Sequence, residues 1–180
     1  MKVPTLTEKL AIPDKVHIEA TNQSVKVKGP KGEIERTFTF RGVELSVADG
    51  FVSITAKDAT RIEKMQVGTA RAHILNMFNG VTKGHVYKLK ICSGHFPMNV
   101  TLSGDKFSVK NFLGEKVPRV LKIKPGAKVT LDGNNITVES IDIEKAGQIA
   151  AGIEQLTRVT DKDIRIFQDG IYIVKKSKRL

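Results

Sequence analysis

Two small α+β modules in tandem are what this sequence predicts, an internal duplication in which each copy is a mostly antiparallel β-sheet packed with one α-helix, over residues 1–82 and 83–180. Three observations predict it. Apolar and polar residues alternate in short runs separated by Gly- and Pro-containing turns, which is the pattern of half-buried strands. Two stretches change to helical spacing, one in each half. The order of elements in the first half recurs in the second, and a duplication of that kind argues against one long doubly wound sheet.

The elements follow in order. Up to about Lys15 the presence of Pro4 and Pro13 argues against a regular element. Val16, Ile18 and Ala20 then alternate with polar residues, as do Val25 and Val27 with Lys26 and Lys28. The turn Gly29-Pro30-Lys31-Gly32 leads into Ile34 and the alternating Thr37–Phe40, giving a hairpin with a basic tip. Glu44–Val47 and Phe51–Ala56 make two more strands joined at Asp49-Gly50, a strong hairpin dipeptide. From Thr60 to Gly80 the residues Val67, Ala70, Ile74 and Met77 fall on one helical face. Thr60 and Glu63 have capping-box spacing, and Gly80 stands where a helix favours a C-terminal glycine.

A strand over about His85–Cys92 joins the modules and is available to both. Met98–Leu102 and Phe107–Lys110 then pair across Gly104-Asp105, and Asn111–Glu115 takes the place of the earlier Gly-Pro-Lys-Gly turn. Val109-Lys110, Gly114-Glu115 and Arg119 match Val27-Lys28, Gly32-Glu33 and Arg36 with one inserted residue. Lys128–Leu131 and Ile136–Val138 repeat the later strands, and a helix spans about Asp142–Thr157. The helices could be matched at an offset of 81, through Ile62-Glu63-Lys64 and Ile143-Glu144-Lys145, or at 79, which lays Ala146, Ile149, Ile153 and Leu156 over Val67, Ala70, Ile74 and Met77. A helix must keep its apolar stripe on the sheet, so 79 is the structural match. After Asp161-Lys162-Asp163, Ile164 and Ile166 alternate with Arg165, Asp169-Gly170 turns, and Ile171–Val174 forms a last strand that delivers Lys175, Lys176, Lys178 and Arg179.

Charge narrows the partner. The chain of 180 residues carries a net charge of +11. Residues 1–81 hold 12 Lys and Arg against 9 Asp and Glu, whereas residues 82–180 hold 18 against 10, so the second half presents the binding surface to a polyanion. From Asp105 to Lys128 there are seven cations against only Asp105 and Glu115. With no Trp and two Tyr, stacking on splayed single-stranded bases is not expected to dominate, and a folded RNA recognised by shape and backbone fits better. A lone cysteine, Cys92, excludes an internal disulfide and fits a reducing compartment. No apolar run reaches the roughly 18 residues of a membrane span, and the N-terminus lacks the apolar core of a signal peptide, so a cytoplasmic protein is expected.

Catalytic and cofactor patterns are poor. The four histidines are scattered, and Cys92 with His95 supplies two ligands where a metal wants more. Gly147–Gly152 has the glycine spacing of a phosphate loop, but Ile153 stands where that loop needs lysine. No cofactor is expected.

Several stretches, in order, resemble the family of large ribosomal subunit protein six in its archaeal and eukaryotic form: Val27–Gly32, Gly80–Thr82 with Gly84, His95–Pro97 with Asn99-Val100, Asn111–Lys116, and Asp163–Arg165 with Phe167 and Asp169–Tyr172. The resemblance implies a tandem α+β duplication and a structural, non-enzymatic role. It implies binding to large-subunit rRNA near the sarcin–ricin loop and the stalk base, with neighbouring ribosomal proteins and translational GTPases nearby. The short segment after Tyr172 points to an archaeal form. Carried over by motif, the RNA-facing residues are His95, Lys110, Lys116, Arg165, Asp169, Gly170 and Tyr172. Charge adds Lys88, Lys90, Lys106, Arg119, Lys122, Lys124, Lys162, Lys175, Lys176, Lys178 and Arg179. Three other readings stay open: a free-standing regulator of structured RNA, a small hydrolase using Cys92 and His95, and a basic peripheral membrane protein, although the last lacks a long basic amphipathic helix.

Overall fold

The computed structural model describes residues 3–21, 24–40, 42–48 and 50–177. They group into two compact units, one up to Gly84 and one from His85 onward. Asp49, Lys178 and Arg179, named above, lie outside the described residues.

The first unit contains β1 (Val3–Ala11), β2 (His17–Ala20), β3 (Ser24–Gly29), β4 (Gly32–Thr37), β5 (Val43–Ala48), β6 (Phe51–Ala59) and α1 (Arg61–Thr82). They make two antiparallel three-stranded sheets, ordered β1-β6-β5 and β2-β3-β4. Period-two alternation puts Val52, Ile54 and Ala56 of β6 and Val25 and Val27 of β3 inside, beneath Val67, Ala70 and Ile74 of α1. Thr60 and Glu63 form the expected capping box.

Three expectations change here. Residues before Lys15 do form a strand, because β1 lies at a sheet edge, where the amide that Pro4 lacks is not needed. Strand β4 ends at Thr37, and Phe38 turns into the core with its ring 5.2 Å from that of Phe40. Gly80 is a buried residue within α1, which runs on to Thr82; Gly84 takes the left-handed conformation, with φ of 77°. The last turn of α1 has no basic residue of its own. Lys31, at the tip of the β3–β4 hairpin, donates its ammonium to the Lys83 carbonyl and so places a cation at the negative end of the helix.

The second unit contains β7 (His85–Cys92), β8 (Asn99–Ser103), β9 (Lys106–Lys110), a 3-10 turn (Phe112–Gly114), β10 (Arg119–Lys122), β11 (Lys128–Asp132), β12 (Asn135–Ser140), α2 (Ile143–Leu156) and β13 (Gly170–Lys175). Its sheets are ordered β11-β12-β7-β13 and β10-β9-β8. Strand β7 pairs with β12 and β13, so it belongs to this unit's sheet. One face of β7, β12 and β13 packs on α2, burying Leu89, Ile91, Ile136, Val138 and Ile171 against Ala146, Ile149 and Ile153.

The duplication is explicit in the pairing. Sheet β8-β9-β10 repeats β2-β3-β4, sheet β7-β12-β11 repeats β1-β6-β5, and β13 is an addition to the second copy. The offset of 79 also holds: Ala146, Ile149 and Ile153 are buried like Val67, Ala70 and Ile74, whereas Ile62 of the shared tripeptide is 59% exposed.

The C-terminal stretch departs from expectation. Ile164, Arg165 and Ile166 form a turn rather than a strand, and both isoleucines are exposed. Asp163 imposes it, since its side chain accepts from the Arg165 amide while its carbonyl accepts from the Ile166 and Phe167 amides. Asp169-Gly170 is not a turn but the buried entry to β13.

Candidate nucleic-acid interface

The outer face of β8-β9-β10 is set by strand alternation. Phe107 and Val109 point into the core, so Lys106, Ser108 and Lys110 point out. Register places Lys122 directly across from Lys106, Thr101 and Val120 across from Ser108, and Asn99 across from Lys110. This face therefore carries three lysines among hydroxyl and amide groups, with no carboxylate on its described strand residues. Like charges directly opposite each other on a sheet are destabilising, so the Lys106–Lys122 pair is not there for the fold. The same face of the first copy is built otherwise: Lys26 lies between Glu19 and Glu35, Lys28 faces Glu33, and Lys26 Nζ reaches Glu33 at 3.7 Å. One scaffold answers its lysines with glutamates in its first copy and is cationic in its second.

A second cationic surface lies on the open face of the four-stranded sheet. Lys88 and Lys90 alternate outward from β7, beside Thr137 and Asn135 of β12. Tyr172 lies across from Lys90. A bulge in β13 sets both Val174 and Lys175 against Lys88, which turns Lys175 outward where simple alternation would bury it. Lys176 follows, also exposed.

Beyond the end of these strands, the segments 93–97 and 161–169 come together around Asp169. Its carboxylate is 2% exposed and accepts from the Gly94 amide, from the His95 amide at 3.1 Å and from His95 Nδ1 at 2.6 Å. Burial raises its pKa, but the donors from Gly94 and His95 outweigh burial and hold it below the ordinary carboxylate value. An ionised Asp169 only accepts, so the hydrogen is on His95 Nδ1 and the ring is fixed. The His95 ring lies 4.9 Å from that of Phe167, and Lys162 Nζ sits 4.8 Å above Phe167 on the way to solvent. Arg165 is highly exposed, its guanidinium held by two hydrogen bonds from Nε and one from Nη2 to Asp163. That pairing lowers the pKa of Asp163 and raises that of Arg165. Beside this cluster is a cavity of about 790 Å3, lined in part by Lys90, His95, Asn134, Gln168 and Tyr172.

Several predicted residues have other duties. Asp169 and Gly170 are buried; the first holds His95, and a side chain on the second would meet the Tyr172 ring and the Thr157 carbonyl at 3.3 Å. Arg119 is not on the lysine face. It stands opposite Val109, as Ile34 stands opposite Val27, so its match to Arg36 fails in register and its side chain points inward. There it donates to Glu115 at 2.8 and 2.5 Å and to the carbonyls of Leu156 and Arg158 at 2.8 and 3.2 Å, with its guanidinium 4.4 Å from the Phe112 ring. It thus supplies to α2 the C-terminal cation that Lys31 supplies to α1. Its hydrogen bond is the main cause of the lowered Glu115 pKa. Nearby, Asn111 and Leu113 take left-handed conformations, φ of 61° and 48°, with Asn111 Nδ2 donating to the Pro97 carbonyl at 3.1 Å, and Lys116 beyond them is exposed. Lys124 is exposed just past β10, whose end is marked by buried Ile123.

Neither Asn134 nor Gln168 was named as a binding residue from the sequence, because a turn asparagine carries no signal there and Gln168 stands out only as a polar residue where an apolar one is expected. Cys92 lines the cavity, but His95 is bonded to Asp169, and among the described residues no three His, Cys, Asp or Glu converge as metal ligands.

Fold and surface together define a class: basic proteins built from a duplicated α+β unit, with the second copy lysine-faced. The model of the family described as Ribosomal protein L6 matches residues 12–84 and 96–170, once for each copy. The large ribosomal subunit protein uL6 of Aeropyrum pernix is 46% identical over 95% of this chain and 94% of its own length. That of Sulfurisphaera tokodaii is 45% identical over 98% and 95%, and that of Haloarcula marismortui 43% over 94% and 96%. The chain belongs to the ribosomal protein L6 family. It is a structural, non-enzymatic protein of cytoplasmic ribosomes, which removes the hydrolase reading of Cys92 and His95.

Proposed function

We propose that the chain is held in the large ribosomal subunit by its second unit, which binds large-subunit rRNA near the sarcin–ricin loop and the base of the stalk, where translational GTPases dock. The observation that carries this reading is the outer face of β8-β9-β10, where Lys106, Lys110 and Lys122 stand without a carboxylate while the equivalent face of the first copy is neutralised. Phosphates offset the repulsion among these lysines, and the counterions they release drive association. The open sheet face adds Lys88, Lys90 and Lys175, and the 93–97 and 161–169 segments add His95, Lys162 and Arg165. Lys116, Lys124 and Lys176 extend the phosphate contact. Arg119, Asp169 and Gly170 act through the loops they hold. The two units are then domains of different duty: the second grips RNA, and the first offers a balanced surface to neighbouring ribosomal proteins.

The test is binding of the full chain to large-subunit rRNA, followed by co-sedimentation with large subunits. Replacing Lys106, Lys110 and Lys122 together with alanine is expected to weaken binding at least tenfold, while Lys26→Ala with Lys28→Ala leaves it within about twofold. Equal effects of the two variants would refute the assignment of the grip to the second unit.

A further inference from the structure

The cavity at the end of β7 and β13 is larger than phosphate contact needs. It is an open cleft, and at about 790 Å3 it lies in the range of roughly 300–1,000 Å3 typical of small-ligand sites. Its walls are held in place. The backbone carbonyl of Asn134 accepts from the Ile91 amide at 2.8 Å, which anchors the turn where Asn134 lines the cavity. The Tyr172 ring is fixed by its hydroxyl, which donates to the Gln168 carbonyl at 3.1 Å, and by the absence of a side chain on Gly170 beside it. Gln168 Nε2 donates to the Arg165 carbonyl at 3.3 Å, leaving its side-chain oxygen to accept. Asp169, also at the wall, has its oxygens engaged by Gly94 and His95, so it does not act as an open anion.

A half-exposed aromatic face, two side-chain amides and one lysine in a preformed pocket match the parts of a nucleotide. A base offers a π-face and a hydrogen-bonding edge, and its phosphate a negative charge. Building on the rRNA-binding reading, we propose that this cavity takes one unpaired nucleotide of the bound RNA, with its base on Tyr172, its polar edge at Asn134 and Gln168, and its phosphate at Lys90. Stacking here concerns one base rather than a run, which agrees with the scarcity of aromatic residues in the chain.

The experiment is chemical probing of full-length large-subunit rRNA with the full chain bound. Dimethyl sulfate and a carbodiimide read the base edges, and hydroxyl radicals read the backbone. The wild-type protein is expected to protect an unpaired base that lies within its backbone footprint. Asn134→Ala and Tyr172→Ala return that base to the reactivity of free RNA, Tyr172→Phe keeps it protected, and Tyr172→Ala weakens binding by about 5- to 150-fold. Backbone protection persists in all three variants at saturating protein. Asn134 is in an exposed turn, so its variant answers the question even where Tyr172→Ala disturbs β13. A backbone footprint in which no unpaired base responds to Asn134→Ala or Tyr172→Ala overturns the pocket and leaves the rRNA reading standing. The absence of any footprint from the wild-type protein overturns both.

Discussion

Asp169 is a carboxylate in a basic surface, and its value lies in the groups it holds. Its pKa is lowered on folding, so as pH falls the unfolded chain takes up the proton first. The stability it contributes is therefore complete above the ordinary carboxylate value of about 3.9 and is lost as pH falls through the lower folded value. Asp169→Asn should be less stable than wild type near neutrality, and the gap between their urea midpoints should close as pH drops below about 4. Asp169→Ala should cost about 2 to 4 kcal/mol at pH 7, because it leaves the Gly94 and His95 donors unmatched. Arg119 belongs to the same class of residue. Arg119→Ala should cost about 2 to 3 kcal/mol in chemical denaturation, and Arg119→Lys should recover only part of it, since a single ammonium cannot serve Glu115 and two carbonyls in one plane. Neither role could be read in the sequence. Asp169 meets Gly94 and His95 across 75 and 74 residues, and Arg119 meets Leu156 across 37, distances that no local pattern encodes.

Elements were more legible than residues because burial repeats along them. Alternation located most of the strands, and the stripe Val67, Ala70, Ile74, Met77 located α1 and its relation to α2. What failed were places where one hydrogen bond overrides a pattern. Ile164 and Ile166 alternate like a strand, yet the Asp163 side chain turns the backbone before any strand can pair with it. Gly80 looked like the end of α1, yet the hairpin tip meets carbonyls beyond it, with the Lys31 ammonium at Lys83 and the Lys31 amide bonded to the Val81 carbonyl at 3.0 Å. In both copies a hairpin brings a cation to a helix that has none in its last turn, which ties each small sheet to its helix. The offset of 79 makes its own prediction. Ile74→Ala and Ile153→Ala, both at fully buried positions, should each cost about 2 to 5 kcal/mol, whereas Ile62→Ala should stay within about 0.5 kcal/mol. Urea unfolding of the three variants would expose a wrong register as a large loss at Ile62.

Over the whole molecule, folding and binding are separated by the two faces of one repeated sheet. The inner faces of β2-β3-β4 and β8-β9-β10 carry the apolar residues that fold each copy, so the outer faces are open to carry different charge. The imbalance of +3 against +8 was visible from composition, but not which cations share a face, because that depends on the pairing of β9 with β10. The pairing allows the first copy's charge pattern to be written onto the second. With Val27 equivalent to Val109, Glu19 and Glu35 beside Lys26 correspond to Thr101 and Val120 beside Ser108. Thr101→Glu with Val120→Glu therefore sets two carboxylates among Lys106, Lys110 and Lys122 without changing a lysine or a core residue. Unfolding should change by no more than about 0.5 kcal/mol per site, since Thr101 and Val120 are both exposed. Binding to large-subunit rRNA should fall at least tenfold at 100 mM salt, and the slope of log affinity against log salt should lose roughly 1 for each phosphate contact given up. A slope and affinity equal to those of the wild-type chain would mean that this face meets no phosphate, and that the lysines across β9 and β10 have another reason to stand together.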